Sequence, residues 1–138
     1  MKPKRYPIAT TGVVVANRKN EILLLKRTNN PYKGYWTIPG GHIEWDEDVA
    51  KCAIRETEEE TGIKLDKISF LRYNQEIDRK RDWHAIAIVF HAKTSKKPKK
   101  RTNEASEIRF FSEKDAKKLK IAFGHGKTIK EYYSKSAG

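Results

Sequence analysis

Apolar and polar positions change period several times along this chain, and the changes divide it into elements. Ile8 to Ala16 and Glu21 to Lys26 are rich in β-branched and aliphatic residues and predict two strands. The turn-forming run Asn17-Arg18-Lys19-Asn20 between them predicts a hairpin. Thr28 to Gly34 reads as turn, and Tyr35 to Pro39 as a short apolar segment ending at a Gly40-Gly41 turn. A short extended stretch is expected over His42 to Trp45. Asp46 can then cap a helix whose first turn holds Glu47 and Asp48, and Gly62 can close it after Thr61 as a left-handed C-cap. Ile68 to Glu76 and Trp83 to Lys93 predict two long strands joined by the charged stretch Ile77 to Asp82. A short strand over Ile108 to Ser112 and helices over Glu113 to Leu119 and Gly126 to Tyr133 complete the chain. Strands and helices mixed without regular alternation predict an α+β or layered α/β/α fold.

The helix between Asp46 and Gly62 carries the chemistry. At ~100° per residue, Ala50, Ala53, Ile54 and Thr57 share a narrow arc that should pack on a sheet. Glu56, Glu59 and Glu60 share another, because spacings of three and four residues place side chains on one face. Such a face is ordinarily solvated and paired with surface lysines. Here it follows a Gly-Gly turn and ends on a glycine, and its like charges repel unless a cation sits among them. Hard divalent ions take oxygen ligands, and Mg²⁺ uses one or two carboxylates plus water and substrate phosphate.

Charge sharpens that picture. Across its 138 residues the chain carries a net charge of +12, yet Gly41 to Ile63 sets eight carboxylates against two basic residues. That segment is at −6, which leaves +18 on the rest, a distribution suited to drawing in a polyanion. The run Lys96, Lys97, Lys99, Lys100 and Arg101 around Pro98 reads as a solvated loop, with no interleaved aromatics to form a single-strand platform. The length suits one domain, 1–138. No stretch approaches the ~20 apolar residues of a membrane span, and the basic N-terminus runs into a strand without a signal region, so a cytoplasmic location is expected. One cysteine, Cys52, agrees with a reducing compartment and reads as a small buried hydrophobe. His42, His84 and His125 lack the paired spacing of a zinc motif.

The fixed positions also match a known pattern. Gly41, Glu47, Arg55-Glu56, Glu59-Glu60, Gly62 and Ile63, at their spacings of five, seven, two and one residues, resemble the 23-residue Nudix box of MutT-like hydrolases. Thr57 departs from it, standing where the family prefers an aliphatic residue. Gly34 to Gly41 resembles the family's approach to the box, and Glu107 to Ser112 its late strand. The resemblance implies a Nudix α/β/α sandwich with a mixed β-sheet. It also implies an Mg²⁺- or Mn²⁺-dependent enzyme that cleaves a nucleoside diphosphate linked to another moiety. Glu56 and Glu60 would then be metal ligands, Glu59 a ligand or the residue orienting water, and the carbonyl of Gly40 or Gly41 a further ligand. Arg55 and Glu47 would form an orienting salt bridge, and Glu104 or Glu107 would supply another acid.

For substrate contacts the candidates are Arg27, Trp36, Arg81 and Trp83, with Tyr32, Tyr35 and Trp45 also near the expected cleft. Asp78 to His84 and Ala122 to Lys127 are similar to stretches of ADP-ribose pyrophosphatases. Pro39 to Glu44 and Cys52 to Thr57 are similar to nucleoside-triphosphate sanitising members instead. A small nucleotide is the expected partner, without a membrane. An RNA 5′-end enzyme using the basic surface is the alternative, a non-catalytic nucleotide-sensing module is less favoured because every box carboxylate is kept, and a homodimer is compatible with the family.

Overall fold

Val13, Val14, Val15 and Ala16 are all fully buried in succession, because the strand they occupy is covered on both faces. The computed structural model describes residues 3–136. Its strands are β1 (Ile8–Ala16), β2 (Ile22–Arg27), β3 (Trp36–Thr37), β4 (Gly40–His42), β5 (Ser69–Asp78), β6 (Trp83–Lys93) and β7 (Ala105–Phe111). The helices are α1 (Val49–Thr61), α2 (Glu113–Ala116) and α3 (His125–Ser136). The main sheet runs β3-β2-β1-β6-β5, with β4 paired to β1 and β7 to β2. β1 and β6 are parallel and the other pairs antiparallel, so the sheet is mixed, as expected.

Alternation along β1 sorts the core into two layers. Val13 and Val15, with Leu23, pack against Ala53 of α1 and against Ile63 and Leu65 beyond it. Val14 and Ala16, with Ile22 and Leu24, pack against Ala116 of α2 and Ile129, Tyr132 and Tyr133 of α3. Each fully buried Val or Leu contributes about 1.5–3 kcal/mol. Tyr132 Oη donates to Asn20 Oδ1 (2.6 Å) and Tyr133 Oη to the Asn20 carbonyl (2.9 Å), which ties α3 to the β1–β2 turn.

Several boundaries differ from expectation. Asp46 does not cap α1: it lies at φ +61° in a turn closed by Glu47 N–H to the Glu44 carbonyl (3.0 Å). Asp48 is the cap, accepting from Lys51 N–H at 3.0 Å, so neither Glu47 nor Asp48 lies inside the first turn. At the other end Gly62 takes φ +75° and returns its N–H to the Glu58 carbonyl, as its sequence position implied. The buried arc of α1 is Cys52, Ala53, Thr57 and Thr61, with Ala50 and Ile54 at its half-buried margin. Thr57 satisfies its hydroxyl by donating to the Ala53 carbonyl (2.8 Å). β7 begins three residues before the expected strand, and α2 stops at Ala116 rather than Leu119. The basic run is largely exposed but anchored at two points. Lys99 N–H donates to the Thr61 carbonyl (2.7 Å) and Lys96 Nζ to the Lys64 carbonyl (3.0 Å), so it wraps the C-terminal end of α1. Among the described residues no helix is long and apolar enough to cross a membrane.

Candidate active site

Two short elements create the site by coming close. β4 pairs with β1 through Gly12↔Gly40 and Thr11↔Gly41, which lays the glycine pair across the carboxylate face of α1. A Cβ on Gly40 would collide with the Thr11 carbonyl, and one on Gly41 would lie 2.5–2.7 Å from the Glu56 carboxylate. Gly40 therefore needs glycine for close backbone approach, whereas a side chain at Gly41 would push the Glu56 carboxylate aside. Gly40 N–H donates to Glu60 Oε1 at 2.8 Å and fixes that side chain.

Arg55 organises the neighbouring acids. Its Nε and Nη2 bind Glu47 in a bidentate pair at 2.6 and 3.0 Å. Its Nη1 reaches Glu56 Oε1 at 3.1 Å and both oxygens of Glu59 at 3.2 Å. The Arg55 hydrogen bond is the main reason the Glu47 carboxyl is held down to about 2, and the Glu47 hydrogen bond is the main reason the guanidinium is pushed further up. The opposite holds deeper in the cleft. Burial, abetted by Glu56 and Glu104, raises Glu60 to about 8 despite the Gly40 N–H. Burial also raises Glu56, against the pull of Arg55. The Cys52 thiol is pushed up to about 11 by burial and is unsuited to act as a nucleophile.

These acids form one end of a cleft of about 540 Å³ that also includes Arg27, Glu104, Thr37, Glu76, Trp83, Phe123 and His125. Arg27 sits in its wall, half-buried, with Nε donating to the Pro31 carbonyl (2.8 Å) and its guanidinium 4.8 Å from the Phe123 ring centroid. Trp83 also lines the cleft, packed 5.1 Å from Phe123.

Of the candidates for substrate contact and for the further acid, Glu107, Trp36, Arg81, Tyr32, Tyr35 and Trp45 do not line this cleft. Glu107 is exposed on β7, opposite Lys26 in the sheet register, with Lys26 Nζ 3.9 Å away; Glu104 is the acid that reaches the cleft. Trp36 is 6% exposed and packs edge-on against Phe111 at 4.8 Å, so it belongs to the core. Arg81 is committed at the β5–β6 turn, paired with Asp78 (2.9 Å) and stacked 4.2 Å over Tyr32. Trp45 is 94% exposed and does not line the cleft.

The far end holds residues that the sequence did not single out for the site. Glu76, buried at 6% exposure, accepts from Trp83 Nε1 (3.1 Å) and Asn74 Nδ2 (3.2 Å) and lies 3.2 Å from His125 Nε2. His125 Nδ1 is in turn 3.0 Å from Thr37 Oγ1. The sequence carried no signal for them: on β5 the polar Asn74 and Glu76 are buried while the apolar Tyr73 and Ile77 are exposed, the reverse of what their residue types suggest.

Among the described residues no group of three or more acidic, imidazole or thiolate side chains is drawn together as a metal cage. Glu60 is turned to Gly40, and Arg55 holds Glu56 and Glu59. The donor set nevertheless fits a hard divalent ion. Its groups are carboxylate oxygens, Gly41 gives the Glu56 carboxylate the room to lie against β4, and Mg²⁺ needs few protein ligands when substrate phosphate supplies others.

A NUDIX domain family model matches residues 6–132. An ADP-ribose pyrophosphatase of Methanocaldococcus jannaschii is 38% identical over 125 residues, which cover 91% of this chain and 72% of that protein. The solved MutT NUDIX hydrolase from Burkholderia pseudomallei is 32% identical, with a TM-score of 0.73 over 78% of this chain and 84% of that one. The NUDIX domain of Shewanella oneidensis NrtR, complexed with ADP ribose, aligns with a TM-score of 0.85 over 96% of this chain and 90% of that one; at 21% identity it speaks to the fold alone. With its glycines, carboxylates and arginine meeting at one cleft on this sheet, the chain belongs to the Nudix family of hydrolases.

Proposed function

We propose that this chain is a divalent-metal-dependent pyrophosphohydrolase of nucleoside diphosphates linked to a second moiety, with ADP-ribose as its preferred substrate. The observation that carries the reading is the joining, in one cleft, of an acidic end on α1 with an arginine- and aromatic-lined end. The 38% identical relative that bears the name ADP-ribose pyrophosphatase supports the choice of substrate.

In this reading Glu56 and Glu60, with a carbonyl of Gly40 or Gly41, hold Mg²⁺ or Mn²⁺. When bound, the ion neutralises charge on the phosphoryl oxygens and lowers the pKa of water. The chain does the rest. Arg55 fixes Glu59 and Glu56 so that their carboxylates do not rotate away from the cleft. Glu59 orients the attacking water and takes its proton, while Glu104 faces the same space from the opposite wall. A bond forms from the water oxygen to one phosphorus, and the anhydride P–O bond breaks. Two phosphomonoesters leave, AMP and ribose 5-phosphate for ADP-ribose. Arg27, held over Phe123, meets the phosphate charge on its way through the cleft.

The test is a metal-dependent panel of ADP-ribose, NTPs and dNTPs with products identified by mass spectrometry. ADP-ribose should show the highest kcat/KM, and chelation should abolish turnover. A dNTP turned over tenfold more efficiently than ADP-ribose would move the assignment to nucleotide sanitation.

A further inference from the structure

The cleft has a carboxylate that the hydrolysis does not use. Glu76 is on β5, across the cleft from the acids of α1, with its side chain only 4% exposed. A buried carboxylate is costly unless its oxygens are hydrogen-bonded, and here three separate elements meet that need. Trp83 Nε1 donates to Oε1, while Asn74 Nδ2 and His125 Nε2 serve Oε2. The supports are themselves fixed. Asn74 Nδ2 also donates to the Phe123 carbonyl (3.0 Å), and Thr37 holds the other ring nitrogen of His125. A carboxylate accepts about four hydrogen bonds, so one position on Oε1 remains for whatever occupies the cleft.

The chemistry of that position is narrow. An anionic acceptor repels phosphate, so the polyphosphate must lie toward Arg27 and the acidic end. An adenine edge sets an acceptor beside its amino donor and needs a protein donor next to the carboxylate, while the paired N–H donors of guanine need two free acceptor positions where Glu76 has one. The N–H groups of Trp83, Asn74 and His125 around Glu76 are already spent on Glu76 and the Phe123 carbonyl. A hydroxyl makes no such demand, because it rotates its one proton to the acceptor.

The geometry points to Glu76 as a specificity-determining residue that accepts a hydrogen bond from a ribose hydroxyl of the substrate at the far end of the cleft. This rests on the reading of the site as an ADP-ribose hydrolase. Two riboses could supply the hydroxyl, that of the adenosine and the terminal one.

The experiment measures kcat and KM for ADP-ribose and for two analogue series, one with adenosine-ribose hydroxyls replaced by hydrogen and one with terminal-ribose hydroxyls replaced. Wild type and Glu76→Gln are compared at saturating Mg²⁺. In wild type one series should raise KM about tenfold or more, the scale of a lost hydrogen bond to a charged group, with kcat within about threefold. The series that does so identifies the ribose. In Glu76→Gln, ADP-ribose itself should show the raised KM and the same analogue should add no further penalty. A merely structural role would lower performance on all three substrates equally and leave the analogue penalty intact, which overturns the assignment. Equal KM for all three substrates in wild type also overturns it, and that arm stands even if the variant folds poorly. Absence of any ADP-ribose turnover by wild type removes both this inference and the functional reading beneath it; turnover without coupling removes only the role of Glu76.

Discussion

The two ends of the cleft are built in opposite ways. The acidic end comes from one helix and the glycine pair on β4, and its two deepest acids are undercompensated: burial raises Glu56 and Glu60 although Arg55 opposes it at Glu56 and the Gly40 N–H and Arg27 oppose it at Glu60. The far end is assembled from β3, β5, β6 and the start of α3, and its one acid, Glu76, is ringed by donors. One end is left electrostatically unfinished, as the proposed cation site requires. The other is finished, as the acceptor role proposed for Glu76 requires. Unbalanced charge marks where chemistry is to happen, and balanced polar burial marks where shape is to be read.

Removing charge should hurt catalysis at the acidic end far more than anywhere else. Glu60→Gln keeps an acceptor for Gly40 N–H but removes a proposed ligand charge; kcat should fall by at least about a hundredfold in steady-state assays, with an unchanged circular dichroism spectrum. Arg55→Ala frees Glu47, Glu56 and Glu59 together. Its expected effect is smaller, about 10–100-fold in apparent metal affinity, read by titrating activity with Mg²⁺.

Stability against pH separates the carboxylates by sign. Glu60 is raised to about 8, so the folded metal-free protein holds a proton that the unfolded chain has released. Its stability should therefore decline as pH rises from about 4.5 to about 8 and level off above. Glu47 is depressed to about 2, so its contribution is complete above about 4.5 and is lost as pH falls toward 2. Thermal melts across this range should show both limbs. Glu60→Gln should flatten the upper one, and saturating Mg²⁺ should reverse it. The smallest effect belongs to the basic run. Lys97 and Lys100 are exposed, and replacing both by Ala should change KM by less than about threefold, and only at low ionic strength, as expected of long-range steering.

The same contrast explains what could be read from the sequence. Gly62, Thr57 and the Arg55–Glu47 pair were legible because each depends on residues within one helix or just before it. Asp46 misled because two neighbouring aspartates offer equal caps, and only the left-handed turn at Asp46 decides between them. Trp36 and Glu107 were misplaced because strand pairing with β2 sets their environment, and no local pattern reveals which neighbours a strand will acquire. Glu76 was illegible as a site residue for the same reason. Its partner His125 lies 49 residues away, and nothing near Glu76 in the chain announces it.

The most incisive measurement is hydrolysis of ADP-ribose in ¹⁸O-labelled water with Mg²⁺, by wild type and Glu60→Gln, followed by mass spectrometry. Wild type should yield AMP and ribose 5-phosphate with a single ¹⁸O in one of the two phosphates, and the variant should yield almost none of either. Equal turnover by the variant, or turnover that persists after the metal is chelated, would contradict a cation-dependent site on α1.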